Sequence, residues 1–175
     1  MKRNKKKDYI KIGILGGTFD PPHKGHLYIS KIALKKFKLK KILWIITKKN
    51  PLKDKPYLKL KERIKLSKKI TNKNKKINVK YFDDKIRSSS TFDLLNYIKK
   101  KTKADLFFLM GADNLKNFHK WKNWRKIPKL AKIAIFPRKN YSYNSIVTNI
   151  INKKDLIYVR SKKINISSSL IRKFW

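Results

Sequence analysis

Short apolar runs alternate with stretches of helical periodicity along the chain. That alternation narrows the fold more than any other feature, because it is the pattern of βαβ units built into a parallel sheet. Residues 9–15 (YIKIGIL) read as a first buried strand, 41–47 (KILWIIT) as a second and 77–82 as a third. Residues 105–110 (DLFFLM), ending at Gly111, make the best central strand, followed by strands at 131–136 and 156–159. A helix is expected from about Lys24, just after Pro21-Pro22, with Leu27, Ile32, Ala33, Leu34 and Phe37 turned inward. Residues 58–70 place Leu60, Ile64 and Ile70 at helical spacing, and Thr91 is positioned to cap a helix with Leu94, Leu95 and Ile98 on its apolar face. Residues 121–127 read as a short helix, and Ser167 opens a terminal one. The expected fold is α/β: a single Rossmann-like open parallel sheet flanked by helices, with right-handed crossovers and ligands beyond the carboxyl ends of the strands.

Composition excludes several classes. With no Cys among 175 residues, neither a disulfide nor a thiolate metal site can form. No apolar run approaches the roughly 18 residues of a membrane span. The basic start, residues 1–8, is read as a frayed tail running into the first strand and not as an export signal, which makes the cytoplasm the expected compartment. The net charge of +39 is nearly all Lys, since only seven of the 49 basic residues are Arg, and it is spread from end to end. Abundant Lys, Asn and Ile with little Ala or Gly is what AT-biased coding produces. A phosphate-bearing small substrate would suffice as the anionic partner, and no nucleic acid is required.

Gly16-Gly17-Thr18 follows the first strand, where glycines let backbone N–H groups approach an anion closely. The pattern is neither GxGxxG nor GxxxxGK[ST], so neither the dinucleotide nor the P-loop fingerprint applies. Instead His23 and His26, with Gly25 between them, stand at the mouth of the first helix, whose free N–H groups and partial positive charge favour phosphate. Two imidazoles add donors for charge developing on a transferring phosphate, and Gly25 is expected to leave room for a base or phosphate. A lone histidine there would be an ordinary turn residue. Two of the chain's three His, clustered behind Gly-Gly and flanked by Pro-Pro, point to a site. Apart from Asp20 no nearby carboxylate would complete a metal centre, and no metal ligand is assigned.

At the other end, residues 164–172 (INISSSLIR) bring hydroxyls at Ser167, Ser168 and Ser169 together with Arg172 one turn on, a set suited to phosphate oxygens. In the middle, residues 110–124 (MGADNLKNFHKWKNW) end a strand at Gly111, place Asp113 where a carboxylate could accept from ribose hydroxyls, and carry Trp121 and Trp124. Each Trp is either core packing or a plane for stacking on a base. His119 in the same stretch carries no assigned role.

GGTFDPPHKGHL resembles the HxGH signature of the nucleotidyltransferase superfamily, in the form typical of nicotinate-nucleotide adenylyltransferases. Phosphopantetheine adenylyltransferases usually carry Thr where this chain has His23, and cytidylyltransferases usually show Leu-His in place of Pro-Pro-His. The ISSSLIR stretch is similar to the superfamily's ISxTxxR signature, which grips the β- and γ-phosphates of ATP, with Ser169 keeping the hydroxyl of the usual Thr. The GAD…F…W stretch resembles the part of the family in which a Trp stacks on the nicotinate ring; by position that is Trp121. Asn50-Pro51-Leu52-Lys53 looks like the family's acceptor-side loop. Residues 90–93 look like its SYTxDT stretch, with Ser90 in place of Tyr and Leu94 in place of Thr. Phe136-Pro137-Arg138 resembles its late strand, without the Pro-Gly that usually follows. Many relatives continue past the last Arg, so no closing segment is expected beyond Trp175.

The resemblance, over about residues 10–173, implies one nucleotidyltransferase domain spanning residues 1–175. It implies catalytic roles for His23, His26 and Arg172, and ATP contacts at Gly16, Gly17, Thr18, Phe19, Gly25, Gly111, Asp113, Ser167 and Ser169. Acceptor contacts are implied at Lys53, Thr91, Trp121 and Arg138. The implied reaction joins nicotinate mononucleotide to ATP, giving deamido-NAD and pyrophosphate, with Mg²⁺ carried on ATP. Another acceptor, nicotinamide mononucleotide or phosphopantetheine, is the rival within the superfamily. A non-catalytic RNA-binding module is the rival outside it, and the aromatics, which sit mostly in apolar runs, speak against that.

Overall fold

The computed structural model describes residues 9–141, 146–163 and 165–175; the basic segment 1–8 and Ile164 of the last motif lie outside them. Six strands, β1 (Lys11–Gly17), β2 (Lys41–Ile46), β3 (Ile77–Lys80), β4 (Asp105–Gly111), β5 (Lys132–Phe136) and β6 (Leu156–Tyr158), form one sheet in the order β3-β2-β1-β4-β5-β6. Every neighbouring pair is parallel. The helices are α1 (Lys24–Lys36), α2 (Leu60–Thr71), α3 (Asp83–Ile86), α4 (Thr91–Lys101), α5 (Leu115–Phe118), α6 (Ile127–Leu130), α7 (Ile146–Ile150) and α8 (Ser168–Arg172). No helix among the described residues is long and apolar enough to cross a membrane.

Both faces of the sheet are covered, which is why its strands read as near-continuous apolar runs and not as alternating ones. The period of two still operates underneath. Leu106, Phe108 and Met110 of β4 join Ile12, Ile14, Ile133 and Ile135 against Leu94, Leu95 and Ile98 of α4. Phe107 and Leu109 point the other way, with Leu15, Ile42, Trp44, Ile46 and Phe136, onto Ile29 and Ala33 of α1. Of the residues expected inward on α1, Ala33 is fully buried and Leu27, Ile32, Leu34 and Phe37 pack at its margin.

The chain leaves β1 towards β2 and β3 on one side and returns to β4 on the other. The carboxyl ends of β1 and β4 therefore open on the switch point, where a crevice must form.

Several boundaries differ from expectation for local reasons. β1 runs through Gly16 and Gly17, which pair with Ile45 and Ile46 of β2, so both glycines are strand residues and not loop residues. The cap of α4 is Ser90, not Thr91. Ser90 has the extended backbone a cap requires, and its Oγ accepts from the Asp93 N–H at 3.1 Å, while Thr91 is the first helical residue. The single helix expected over residues 121–127 is broken. Asn123 takes φ 49°, in the left-handed region, so only a 3₁₀ turn (Trp124–Lys126) precedes α6, which starts afresh with Pro128 in its first turn. Helices α3, α5 and α7 have no counterpart in the sequence pattern, because four or five residues are too few to show a helical period.

Candidate active site

The carboxyl ends of β1 and β4 open into a cavity of about 1160 Å³. Of the residues singled out from the sequence, Gly16, Gly17, Thr18, Phe19, His23, His26, Lys53, Thr91, Gly111, Asp113, Trp121, Arg138, Ser167, Ser169 and Arg172 all line it; Gly25 does not.

The two histidines are built into the start of α1 as a reciprocal cap. His23 is the N-cap, and its Nδ1 accepts from the Gly25 N–H at 3.1 Å. His26 sits three residues on and returns the contact, its Nδ1 accepting from the His23 N–H at 3.2 Å. This is the logic of a Ser/Glu capping box carried out by imidazoles. The rings lie 3.8 Å apart, and His26 is backed by Phe19 at 4.6 Å and Trp44 at 5.7 Å. Trp44 is itself fixed, donating from Nε1 to Ser30 Oγ at 2.8 Å, and Ser30 Oγ donates on to the His26 carbonyl.

Electrostatics keep both rings uncharged. Burial, and then the Arg138 guanidinium, pushes His23 down from 6.5 to about 4. His26 is held well below the usual histidine range by burial first, then by His23 and Arg138. With Nδ1 accepting, each neutral ring carries its proton on Nε2. The pair thus offers two N–H donors of fixed tautomer at a helix start.

Gly25 serves a different purpose from the one expected. A Cβ there would stand 2.8 Å from His23 Nδ1 and 2.9 Å from Ile166 Cγ2, so protein atoms, not ligand, fill the space. By contrast a Cβ on Gly16 would meet only Phe108, at 3.8 Å, and Gly16 is exposed on the cavity floor. Phe19 contributes through its ring, which is buried beneath His26, more than as a ligand face. Asp113 and Arg138 pair with each other at 3.2 Å, and Arg138 also donates to the Ile166 carbonyl at 2.9 Å. Arg138 thus stands near enough to act electrostatically on both histidines.

The last motif docks on the first. Ser168 Oγ donates to the Pro21 carbonyl at 2.8 Å, and Arg172 donates to the Asp20 carbonyl and lies 3.5 Å from Asp20 Oδ2. Ser167 caps α8, its Oγ accepting from the Leu170 N–H at 3.1 Å, while Ser169 Oγ accepts from Arg172 at 3.3 Å.

On the far side, Trp121 packs edge-on against Phe108 and tilted against Phe118 while lining the cavity. Trp124 packs on Phe118 under the Arg125 guanidinium and does not reach the cavity. Core packing therefore accounts for Trp124, whereas Trp121 is both core and wall.

Two residues that organise this crevice were not singled out from the sequence. Arg63, 2% exposed, donates to the carbonyls of Leu58, Thr18, Thr47 and Lys48 at 2.7–3.1 Å, tying the ends of β1 and β2 to the start of α2. Asp83 accepts from Thr47 Oγ1, the Lys48 N–H and Ser89 Oγ, joining the end of β2 to the segment before α4. The one sequence signal for Arg63 is its place at i, i+4 and i+8 with Ser67 and Thr71, a polar stripe on the face α2 buries.

The family described as Cytidylyltransferase-like matches residues 14–174. A Pelagibacter ubique protein named "Probable nicotinate-nucleotide adenylyltransferase" is 51% identical over 173 residues, covering 97% of this chain and 95% of that one. A Rhizobium meliloti protein of the same name is 42% identical over 129 residues, 73% of this chain and 68% of that one. Among solved structures, Plasmodium falciparum nicotinic acid mononucleotide adenylyltransferase complexed with NaAD superposes with a TM-score of 0.75 at 23% identity, covering 95% of this chain and 84% of that one. The same enzyme complexed with APC gives 0.76.

Proposed function

The chain belongs to the cytidylyltransferase-like family and, within it, to the nicotinate-nucleotide adenylyltransferases, and on that basis we propose that it transfers AMP from ATP to nicotinate mononucleotide, yielding deamido-NAD and pyrophosphate in the cytoplasm. The observation that carries this reading is the pair of neutral, tautomer-locked imidazoles sharing one cavity with Trp121 and Arg172.

ATP would be taken as its Mg²⁺ complex, the metal supplying charge neutralisation to the triphosphate. The α-phosphate lies against the start of α1, where His23 and His26 donate from Nε2 to its non-bridging oxygens. The acceptor's phosphate has a second pKa near 6, so it is largely dianionic at neutral pH and attacks without a general base. Its oxygen forms a bond to the α-phosphorus as the bridging α–β bond breaks, and pyrophosphate departs with that electron pair. Catalysis is then alignment and charge stabilisation. Neutral donors suit such a transfer, because their hydrogen bonds strengthen as charge develops and still release the product. Fixed imidazolium charges would grip reactant and product alike.

Arg172, Ser167 and Ser169 take the leaving β- and γ-phosphates, which requires the Arg172 guanidinium to turn part of its donor set from Asp20 to the ligand. Gly16, Gly17 and Thr18 floor the ATP side beneath the exposed strand end, with Gly111 and Asp113 facing the ribose. Trp121 supplies the plane for the pyridine ring, Thr91 and Lys53 the polar contacts of the acceptor, and Arg138 a positive charge between the two substrates.

The test supplies Mg²⁺ and ATP with nicotinate mononucleotide, nicotinamide mononucleotide or phosphopantetheine in turn and measures pyrophosphate. Fastest release with the first supports the assignment. Fastest release with phosphopantetheine overturns it, as would salt-sensitive RNA binding with no release from any acceptor.

A further inference from the structure

Asp20 is 4% exposed and sits where three separate segments meet. Its Oδ2 accepts from the Tyr57 N–H and its Oδ1 from the Leu58 N–H, both at 2.8 Å, which pins the carboxyl end of the Lys53 loop. Its Oδ2 also lies 3.5 Å from Arg172 Nη1, and its own carbonyl accepts from the same guanidinium. A second link runs in parallel, the Tyr57 and Trp175 rings lying 5.6 Å apart.

We propose that Asp20 is a positioning residue that couples the two substrate sites, transmitting occupancy of Arg172 by the triphosphate to the Lys53 loop that receives the mononucleotide. This rests on the ATP and acceptor assignments above. The carboxylate has acceptor sites enough for all three partners, but a guanidinium cation 3.5 Å away draws electron density from the two amide hydrogen bonds. While Arg172 faces Asp20, the carboxylate's charge is divided among three partners. When phosphate oxygens claim Arg172, more of that charge is left to the Tyr57 and Leu58 N–H groups, and the loop is held more firmly. Binding of ATP therefore favours binding of the acceptor, and by linkage the acceptor favours ATP to the same degree.

The experiment measures the Kd of nicotinate mononucleotide by calorimetry, with and without a saturating α,β-methylene analogue of ATP. In the wild type the analogue tightens the acceptor about fivefold or more, within the usual range of such couplings. Asp20→Asn keeps the size of the side chain but opposes an NH₂ to one of the two amides, and the ratio collapses to within about twofold of unity. Arg172→Gln, on the cavity rim, removes the other half of the relay and collapses the ratio too, which keeps the test available if Asp20→Asn folds poorly. A loss of general stability would weaken both Kd values and leave their ratio alone. An unchanged ratio in the folded variants overturns the coupling and leaves the reaction assignment standing. Failure of the wild type to bind nicotinate mononucleotide overturns the acceptor assignment and the proposal with it.

Discussion

His23 and His26 together cap the start of α1, the Nδ1 of His26 accepting from the His23 N–H at 3.2 Å while the Nδ1 of His23 accepts from the Gly25 N–H at 3.1 Å. The same geometry that begins α1 thus orients both donors. Removing one ring removes one capping contact and, on the proposed mechanism, one donor to the transferring phosphate. For His26→Ala the expected loss in kcat is roughly 10²-fold or more, in proportion to one lost transition-state donor. Steady-state pyrophosphate release checks this, with circular dichroism to confirm that the fold is retained. Turnover near the wild-type value would sink the role given to His26.

Acid should weaken the fold through the same pair. The shift of His23 from 6.5 to about 4 is worth on the order of 3 kcal/mol. An unfolded His takes up its proton near pH 6.5, so below that value the unfolded chain binds more protons than the folded one. Stability is therefore complete above pH 6.5 and declines as the pH falls towards 4. Urea midpoints taken at intervals across this window should fall less steeply in His23→Gln than in the wild type. Parallel curves would show that His23 is not the source.

Gly25→Ala tests packing within the first motif. Alanine is favoured over glycine in a helix by about 1 kcal/mol, but here its Cβ would stand 2.8 Å from His23 Nδ1 and 2.9 Å from Ile166 Cγ2. The ring must move or its capping bond must break. The expected result is unchanged helix content with kcat reduced by about tenfold or more, since small misplacements of reacting groups are costly.

Trp121 and Trp124 offer a paired comparison. Trp121→Ala should raise KM for the acceptor by about tenfold, the equivalent of 1–3 kcal/mol of ring stacking, and leave KM for ATP near its wild-type value. Trp124→Ala should lower the melting temperature and spare both constants. Equal effects of the two substitutions on acceptor KM would remove stacking as the role of Trp121.

Arg63→Met would leave the carbonyls of Thr18, Thr47, Lys48 and Leu58 without their buried donor. Each orphaned group costs about 1–3 kcal/mol, so a loss of at least 3 kcal/mol is expected by urea unfolding. Arg63→Lys should recover only part of it, because an ammonium has at most three donors and no planar fork. Full recovery by Lys would mean that charge alone matters at this position.

The sheet is legible in the sequence because its strands are buried on both faces, so that residues such as those of DLFFLM announce themselves with no help from periodicity. Elements decided by single contacts are harder to see. Ser90 and Thr91 are both acceptable caps by residue type, with Ser somewhat favoured, and the contact from the Asp93 N–H settles the choice on Ser90. The break at Asn123 depends on one left-handed residue. Within the site, many of the residues that line the cavity can be found by their chemistry. The roles of Arg63, Asp20 and Asp83 cannot, because their partners, many of them backbone groups, are brought together from separate stretches of chain and leave no local mark on the sequence. Gly25 stands out by its position, but the need for glycine there comes in part from Ile166, distant in sequence.

The docking of α8 on the first loop also orders events during synthesis. Ser168 reaches the Pro21 carbonyl, and Arg172 the Asp20 carbonyl, only after β1 to β6 have left the ribosome. A nascent chain can assemble its sheet, cap α1 and set both imidazoles while the cavity wall made by Ser167, Ser169 and Arg172 is still missing. That wall of the cavity closes on two backbone carbonyls which the first motif has already put in place, so its order follows from theirs.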